Sequence, residues 1–167
     1  MITIRATREI DHPDIVEVSI KGWQQAYEGI IDRKVLENLC PNQQLEDRLK
    51  RITEAKINYL VAVAGDKVVG FCDYGNSLYP EYGLGEVYAL YFLKEYRKLN
   101  IGRMLLGKTL DSLFSANLTP IVVIALGENR SAQRFYERLG FLGAGRLSSS
   151  IGGRDYPEII YVHKHQS

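Results

Sequence analysis

Residues Tyr96–Leu106, YRKLNIGRMLL, decide how the chain is organised. Apolar residues at Ile101, Met104, Leu105, Thr109 and Leu113 recur with helical spacing and predict a helix over 101–116. Just upstream, Gly85–Leu93, GEVYALYFL, is apolar at nearly every position and reads as a central strand covered on both faces. A strand therefore enters, a turn follows and a helix leaves. The first N–H groups of such a helix lack intrahelical partners, and the helix dipole adds partial positive charge there. Arg97, Lys98, Asn100, Gly102 and Arg103 crowd this point. One reading is an anion site, with Gly102 letting a ligand approach the backbone. The other is a solvated charged turn with Asn100 as cap. Neither G-x-x-x-x-G-K-[ST] nor G-x-G-x-x-G is present, so neither a P-loop nucleotide triphosphatase nor a Rossmann oxidoreductase is supported.

Outward from this stretch, the pattern alternates between periods of two and 3.6. Residues 2–6 read as a strand. Asp11 is placed to cap a helix, with Ile10 as its staple residue, that carries Ile15, Val18, Ile20 and Trp23 toward Tyr27. Asp32 caps a short helix through Val35, Leu36 and Leu39 that Pro41 ends, and Leu45, Leu49 and Ile52 mark another. Strands follow at 58–64 and 68–74 across a turn at Gly65–Lys67, then a loop over 75–83. After the 101–116 helix come a strand at 120–126, a helix at 129–139 stopped by Gly140, and strands at 141–148 and 156–163 around a soft SSSIGGRD loop. The order predicts one mixed α/β domain over residues 1–167.

At 167 residues, 46% hydrophobic and 25% charged, the chain can fill a core. A net charge of +1 gives no global attraction to nucleic acid or an anionic membrane, and neither is expected as a partner. Cys40 and Cys72 form no disulfide framework, and the N-terminus has no signal-peptide core. A soluble cytoplasmic protein is expected. His163-x-His165 would put two rings on one face of a strand, but no further Cys or His lies near in sequence to complete a zinc site, so no metal is expected.

Two segments then resemble the GCN5-related N-acetyltransferase (GNAT) superfamily. Arg97-Lys98-Leu99-Asn100-Ile101-Gly102 is similar to its [QR]-x-x-G-x-[GA] pyrophosphate loop, with Asn100 in place of the first glycine. Asn tolerates left-handed backbone better than most residues. Asn129 to Phe141, NRSAQRFYERLGF, is similar to the family's N-x-x-A-x-x-[FL]-Y-x-x-x-G-F. Trp23-x-x-x-Tyr27-x-Gly29-Ile30 is similar to a segment of small bacterial members. The resemblance implies a mixed, mostly antiparallel sheet of about seven strands flanked by helices. It also implies transfer of the acetyl group of acetyl-CoA to a primary amine, here a small molecule. Alternatives are a protein or peptide N-acetyltransferase, or a non-catalytic CoA-binding regulatory protein.

By the same resemblance, backbone groups of Leu90, Tyr91 and Phe92 hold the pantetheine arm and polarise the acetyl carbonyl, with a strand bulge at Tyr91. The backbone of Leu99, Asn100, Ile101, Gly102 and Arg103 holds the pyrophosphate, assisted by Arg97, Lys98 and Arg103. Asn129 caps its helix and meets the arm; Phe135 borders it, in a buried stripe with Ala132 and Leu139. Tyr136 protonates the departing thiolate. A lysine-like amine holds its proton with about 4.5 kcal/mol at neutral pH, so a base is needed. Glu86 is the first candidate, with Glu28, Glu81 and Asp73 in reserve. Trp23, Tyr27, Tyr74 and Tyr88 are expected around the acceptor, and Tyr79, Tyr82 and Tyr156 near it. The apolar final strand, 158–163, reads as an edge needing cover, which would suit a homodimer.

Overall fold

The computed structural model describes residues 1–54 and 57–164. Seven strands, β1 (Ile2–Ala6), β2 (Ile57–Ala64), β3 (Lys67–Asn76), β4 (Gly85–Phe92), β5 (Ile121–Leu126), β6 (Leu142–Ile151) and β7 (Arg154–His163), form one sheet in the order β1-β2-β3-β4-β5-β7-β6. Every neighbouring pair is antiparallel except β4 and β5. Among the described residues five α-helices flank it: α1 (His12–Ala26), α2 (Arg33–Glu37), α3 (Pro41–Glu54), α4 (Ile101–Ser115) and α5 (Arg130–Arg138). This is the expected α/β, GNAT-like arrangement. The main core gathers Val61, Phe71, Cys72, Leu105, Leu106, Ile121 and Phe141, all essentially inaccessible. Among the described residues no helix is long and apolar enough to cross a membrane.

Several details depart from the sequence reading. Asp11 caps nothing in α1. Its carboxylate takes two bonds from Arg5, at 2.7 and 3.0 Å, and one from the Arg8 N–H at 2.7 Å. Ile10 is exposed and staples nothing. Asp32 does cap α2, accepting from the Lys34 N–H at 2.9 Å. Pro41 opens α3 rather than closing α2; its missing N–H costs least in a first helical turn. Met104 is partly exposed instead of buried. The SSSIGGRD stretch is mostly strand: β6 runs to Ile151, and Gly152 and Gly153, with φ of 60° and 82°, make the tight turn into β7. That hairpin puts β7 between β5 and β6, so the final strand is interior and the edges are β1 and β6. The proposed His163-x-His165 pair extends outside the described residues at His165.

The largest departure is in α3. Leu49 is exposed, and the buried residue is Arg48. Its guanidinium donates to both Asp73 oxygens, at 2.8 and 3.1 Å, and its Nε donates to His12 Nδ1 at 2.9 Å. The plane lies 4.6 Å from the Tyr59 ring and 5.5 Å from the Phe71 ring. Burial lowers the His12 pKa, and the Arg48 charge lowers it further, consistent with a neutral ring accepting that bond. Burial raises the Asp73 carboxyl against the pull of Arg48. One charged side chain thus ties α3 to the start of α1 and to the sheet.

Candidate active site

The site begins where the sheet opens. β4 and β5 pair only from Gly85–Val87 to Ile121–Val123. Beyond that, the facing edge of β4 has no ladder partner on β5. On its other side, Asp73 of β3 lies opposite Ala89 but Tyr74 lies opposite Val87, leaving Tyr88 as the extra residue. The bulge is therefore at Tyr88, not Tyr91. Tyr91 stays in register opposite Phe71, their rings 5.9 Å apart. A bulge bends its strand and strengthens the local twist, and β4 leaves β5 at this point. The Tyr88 hydroxyl donates to the Asn76 carbonyl, fixing the bulged residue.

The divergence makes a cleft of about 510 Å³. β4 contributes Val87 to Phe92, β5 contributes Val123 to Ala125, and α1 contributes Gly22, Gln25, Ala26 and Tyr27. α5 adds Asn129, Ser131, Ala132, Phe135, Tyr136 and Arg138. The turn into α4 adds Lys94, Arg97, Asn100, Gly102 and Arg103.

That turn is a 3₁₀ helix, Lys94–Leu99, followed by Asn100 with φ 56° and ψ 30°. Asn100 thus occupies the left-handed conformation that only Gly and, less readily, Asn and Asp visit routinely. Asn100→Gly is expected to leave stability within about 0.5 kcal/mol, whereas Asn100→Val should lower it by about 1–2 kcal/mol. Paired urea melts check this. Gly102 is required by close approach: a Cβ there would sit 2.8 Å from Phe92 Cε1 and 3.3 Å from Phe135 Cζ. The N-terminus of α4 is held against both rings, its unpaired N–H groups at the cleft.

The electrostatics are one-sided. Lys94, Arg97, Arg103 and Arg138 line the cleft, and no Asp or Glu among the described residues does. None of the four cations belongs to an ion pair among the described residues. Asn129 caps α5, accepting from the Ala132 N–H at 3.2 Å. The buried side chains of α5 are Gln133 and Tyr136, while Ala132, Phe135 and Leu139 are only partly covered. Gln133 donates to the Leu126 and Gly127 carbonyls at 2.9 Å each, locking α5 to the end of β5. Tyr136 packs between Phe135 and Phe141, ring centroids 5.4 and 5.5 Å away. Burial pushes its pKa upward, and Cys72 and Tyr27 add to the rise.

The structure brings together Tyr27, Tyr88, Leu90, Tyr91, Phe92, Arg97, Asn100, Gly102, Arg103, Asn129, Phe135 and Tyr136. Six of the first-choice residues do not line the cleft, and neither do the reserve bases Glu28, Asp73 and Glu81 or the more distant Tyr79, Tyr82 and Tyr156. Lys98 and Leu99 point to solvent and Ile101 into the core, because successive side chains rotate by 100–120° through the 3₁₀ turn and helix. Tyr74 is buried in β3. Trp23 packs edge-on against Tyr27 at 5.1 Å rather than facing the opening. Glu86 is only 5% exposed and lies behind Val87; it accepts from the Leu78 N–H at 2.9 Å and the Ser77 hydroxyl at 3.3 Å. Burial raises its pKa against those two bonds. Residues not anticipated include Gly22, Gln25, Lys94 and Arg138. The phase of α1 and the positive charge flanking both motifs were the available signals for them.

A seven-stranded mixed sheet, opened between its two parallel strands above a cationic helix start, defines a GNAT-like fold with a cationic cleft. Residues 23–141 match the model of the acetyltransferase (GNAT) family, and the chain belongs to that family. It is similar to the uncharacterized N-acetyltransferase YuaI of Bacillus subtilis (strain 168), 29% identical over 132 residues that make 78% of this chain and 75% of that one. Its fold is similar to that of the PaiA N-acetyltransferase from Thermoplasma acidophilum, whose crystal structure is a complex with coenzyme A. The TM-score is 0.77 at 20% identity, over 99% of each chain. A GCN5-related N-acetyltransferase from Rhodopseudomonas palustris aligns with a TM-score of 0.78 at 16% identity, over 98% of this chain and 95% of that one.

Proposed function

We propose that the protein transfers the acetyl group of acetyl-CoA to a primary amine of a small molecule. The observation that carries this reading is the cleft with four cations, no carboxylate among the described residues and a helix N-terminus, running into an unpaired strand edge. Phosphates suit the first part. An extended amide-bearing arm suits the second, because it can add to β4 as a strand would.

Bound acetyl-CoA supplies an acetyl group activated as a thioester. Arg97, Arg103 and the first N–H groups of α4 hold the pyrophosphate. The backbone N–H and C=O groups of Leu90, Tyr91 and Phe92, not their side chains, align the arm. Tyr136 lies beneath the opening, and its hydroxyl meets the sulfur. The amine nitrogen gives its lone pair to the carbonyl carbon, the C–S bond breaks, and the sulfur carries the electrons away. A thiol has a reference pKa of about 8.5 and a tyrosine about 10, and burial raises Tyr136 further. Its help is therefore a hydrogen bond to the developing thiolate more than a completed proton transfer.

The amine proton goes to Glu86 in this reading, from the side of the 77–84 loop that its carboxylate holds. Burial raises the Glu86 pKa, so the ionised base is lost at a higher pH than for an ordinary glutamate. The acid limb of kcat/KM, followed by thiol release with a panel of primary amines, should accordingly lie above the ordinary Glu range. Glu86→Gln should remove that limb and lower the neutral-pH rate by at least about tenfold. An unchanged limb in the variant would assign the base elsewhere.

A further inference from the structure

The cleft contains a pair of hydroxyl groups that none of the roles above uses. Tyr27 follows the last residue of α1 and Tyr91 lies on β4; their oxygens are 3.0 Å apart, and both residues line the cleft. The pair is held from three sides. The Tyr91 ring packs against α1 where Gly22 stands, since a Cβ there would lie 2.8 Å from Tyr91 Cδ1. Phe71 flanks the same ring on the sheet, and Trp23 meets the Tyr27 ring edge-on.

Two hydroxyls contain two hydrogens, and their mutual bond uses one. Whichever oxygen donates, one O–H remains, and it has no protein acceptor among the described residues. Burial raises the pKa of both phenols, so the pair stays neutral through the working range and remains a donor. Tyr136 lies close enough across the opening for Tyr27 to disfavour its ionisation. The space between them is where a thioester sits if Tyr136 meets its sulfur.

We infer that the spare O–H of the Tyr27–Tyr91 pair donates to the acetyl carbonyl oxygen of acetyl-CoA, and so helps to stabilise the negative charge that oxygen gains as the amine attacks. This rests on the acetyl-CoA reading above. It replaces backbone N–H groups of β4 as the only donors to that oxygen with a side-chain donor supplied jointly by α1 and β4.

CoA lacks the carbonyl, so the contact is readable without any acceptor amine. Calorimetry should give the wild type an affinity for acetyl-CoA roughly threefold to tenfold above that for CoA, the range of one neutral hydrogen bond. Tyr27→Phe/Tyr91→Phe should abolish this preference while its CoA affinity stays within about twofold of wild type. Isotope-edited infrared spectra of bound carbonyl-labelled acetyl-CoA give a second readout, usable with Tyr27→Phe or Tyr91→Phe alone. The C=O band should be shifted to lower frequency in the wild type and differ in either single variant. A wild type that binds CoA and acetyl-CoA equally, a preference that survives the double variant, or a parallel loss of both ligands would overturn the inference and leave the acetyl-CoA site standing. A wild type that binds neither ligand would overturn both.

Discussion

Arg48→Met is expected to destabilise the protein by about 3–5 kcal/mol, the cost of leaving a buried charge without its partner. In a chain of this size that lowers the melting temperature by roughly 6–20 °C. Arg48 is 3% exposed and Asp73 2% exposed, so the stranded carboxylate has no route to water. It must ionise unpaired or take up a proton. His12 also loses the donor to its Nδ1, and the Tyr59 and Phe71 rings lose the plane between them. The cost belongs to the broken pair and not to missing charge as such. Arg48→Met/Asp73→Leu should therefore recover most of the loss, because apolar groups of similar volume often replace a buried ion pair at little cost. Thermal melts of the single and double variants decide it. A single variant within about 1 kcal/mol of wild type, or a double variant no better than the single, would contradict this description of the cluster.

The second large effect concerns binding. Arg97→Glu/Arg103→Glu should weaken acetyl-CoA binding by at least about 100-fold, since two charge-assisted contacts are lost and two repulsions take their place. Both side chains are exposed, so the melting temperature should hold. Gly102→Glu is a poorer test of the same idea. Its Cβ would strike Phe92 and press on Phe135 before any charge mattered, confounding packing with electrostatics.

What was legible in the sequence follows from what is local. The strands around 60, 70, 88 and 123, and the helices at 101 and 130, announce themselves because burial on one or both faces leaves a period in the apolar residues. The αL position of Asn100 is local too, and it shows why Asn is the tolerable replacement for glycine there. The bulge was misplaced by three residues, from Tyr88 to Tyr91, because register belongs to a pair of strands and neither strand alone records it. Arg48 was missed because a charged residue between Leu45 and Leu49 reads as the solvated face of α3; only the distant Asp73 and His12 make its burial tolerable. The hairpin around Gly152 was read as loop because serines facing solvent on an edge strand look like a linker. At the site, the motifs identified the right turn, but the rotation through the 3₁₀ turn decided that Arg97, Asn100, Gly102 and Arg103 face the cleft and Lys98, Leu99 and Ile101 do not. Glu86 was placed by analogy on the acceptor side; its hydrogen bonds to Ser77 and Leu78 turn it toward the 77–84 loop and away from the cofactor cleft, an orientation that only the folded loop defines.

Calorimetric titration of acetyl-CoA into the folded wild-type protein tests most directly whether the cleft is an acetyl-CoA site. The predicted result is saturable binding of one ligand per chain in the micromolar range, lost in Arg97→Glu/Arg103→Glu. A folded wild type that shows no saturable binding up to millimolar acetyl-CoA, or a charge-reversed variant that binds as tightly as wild type, would contradict it.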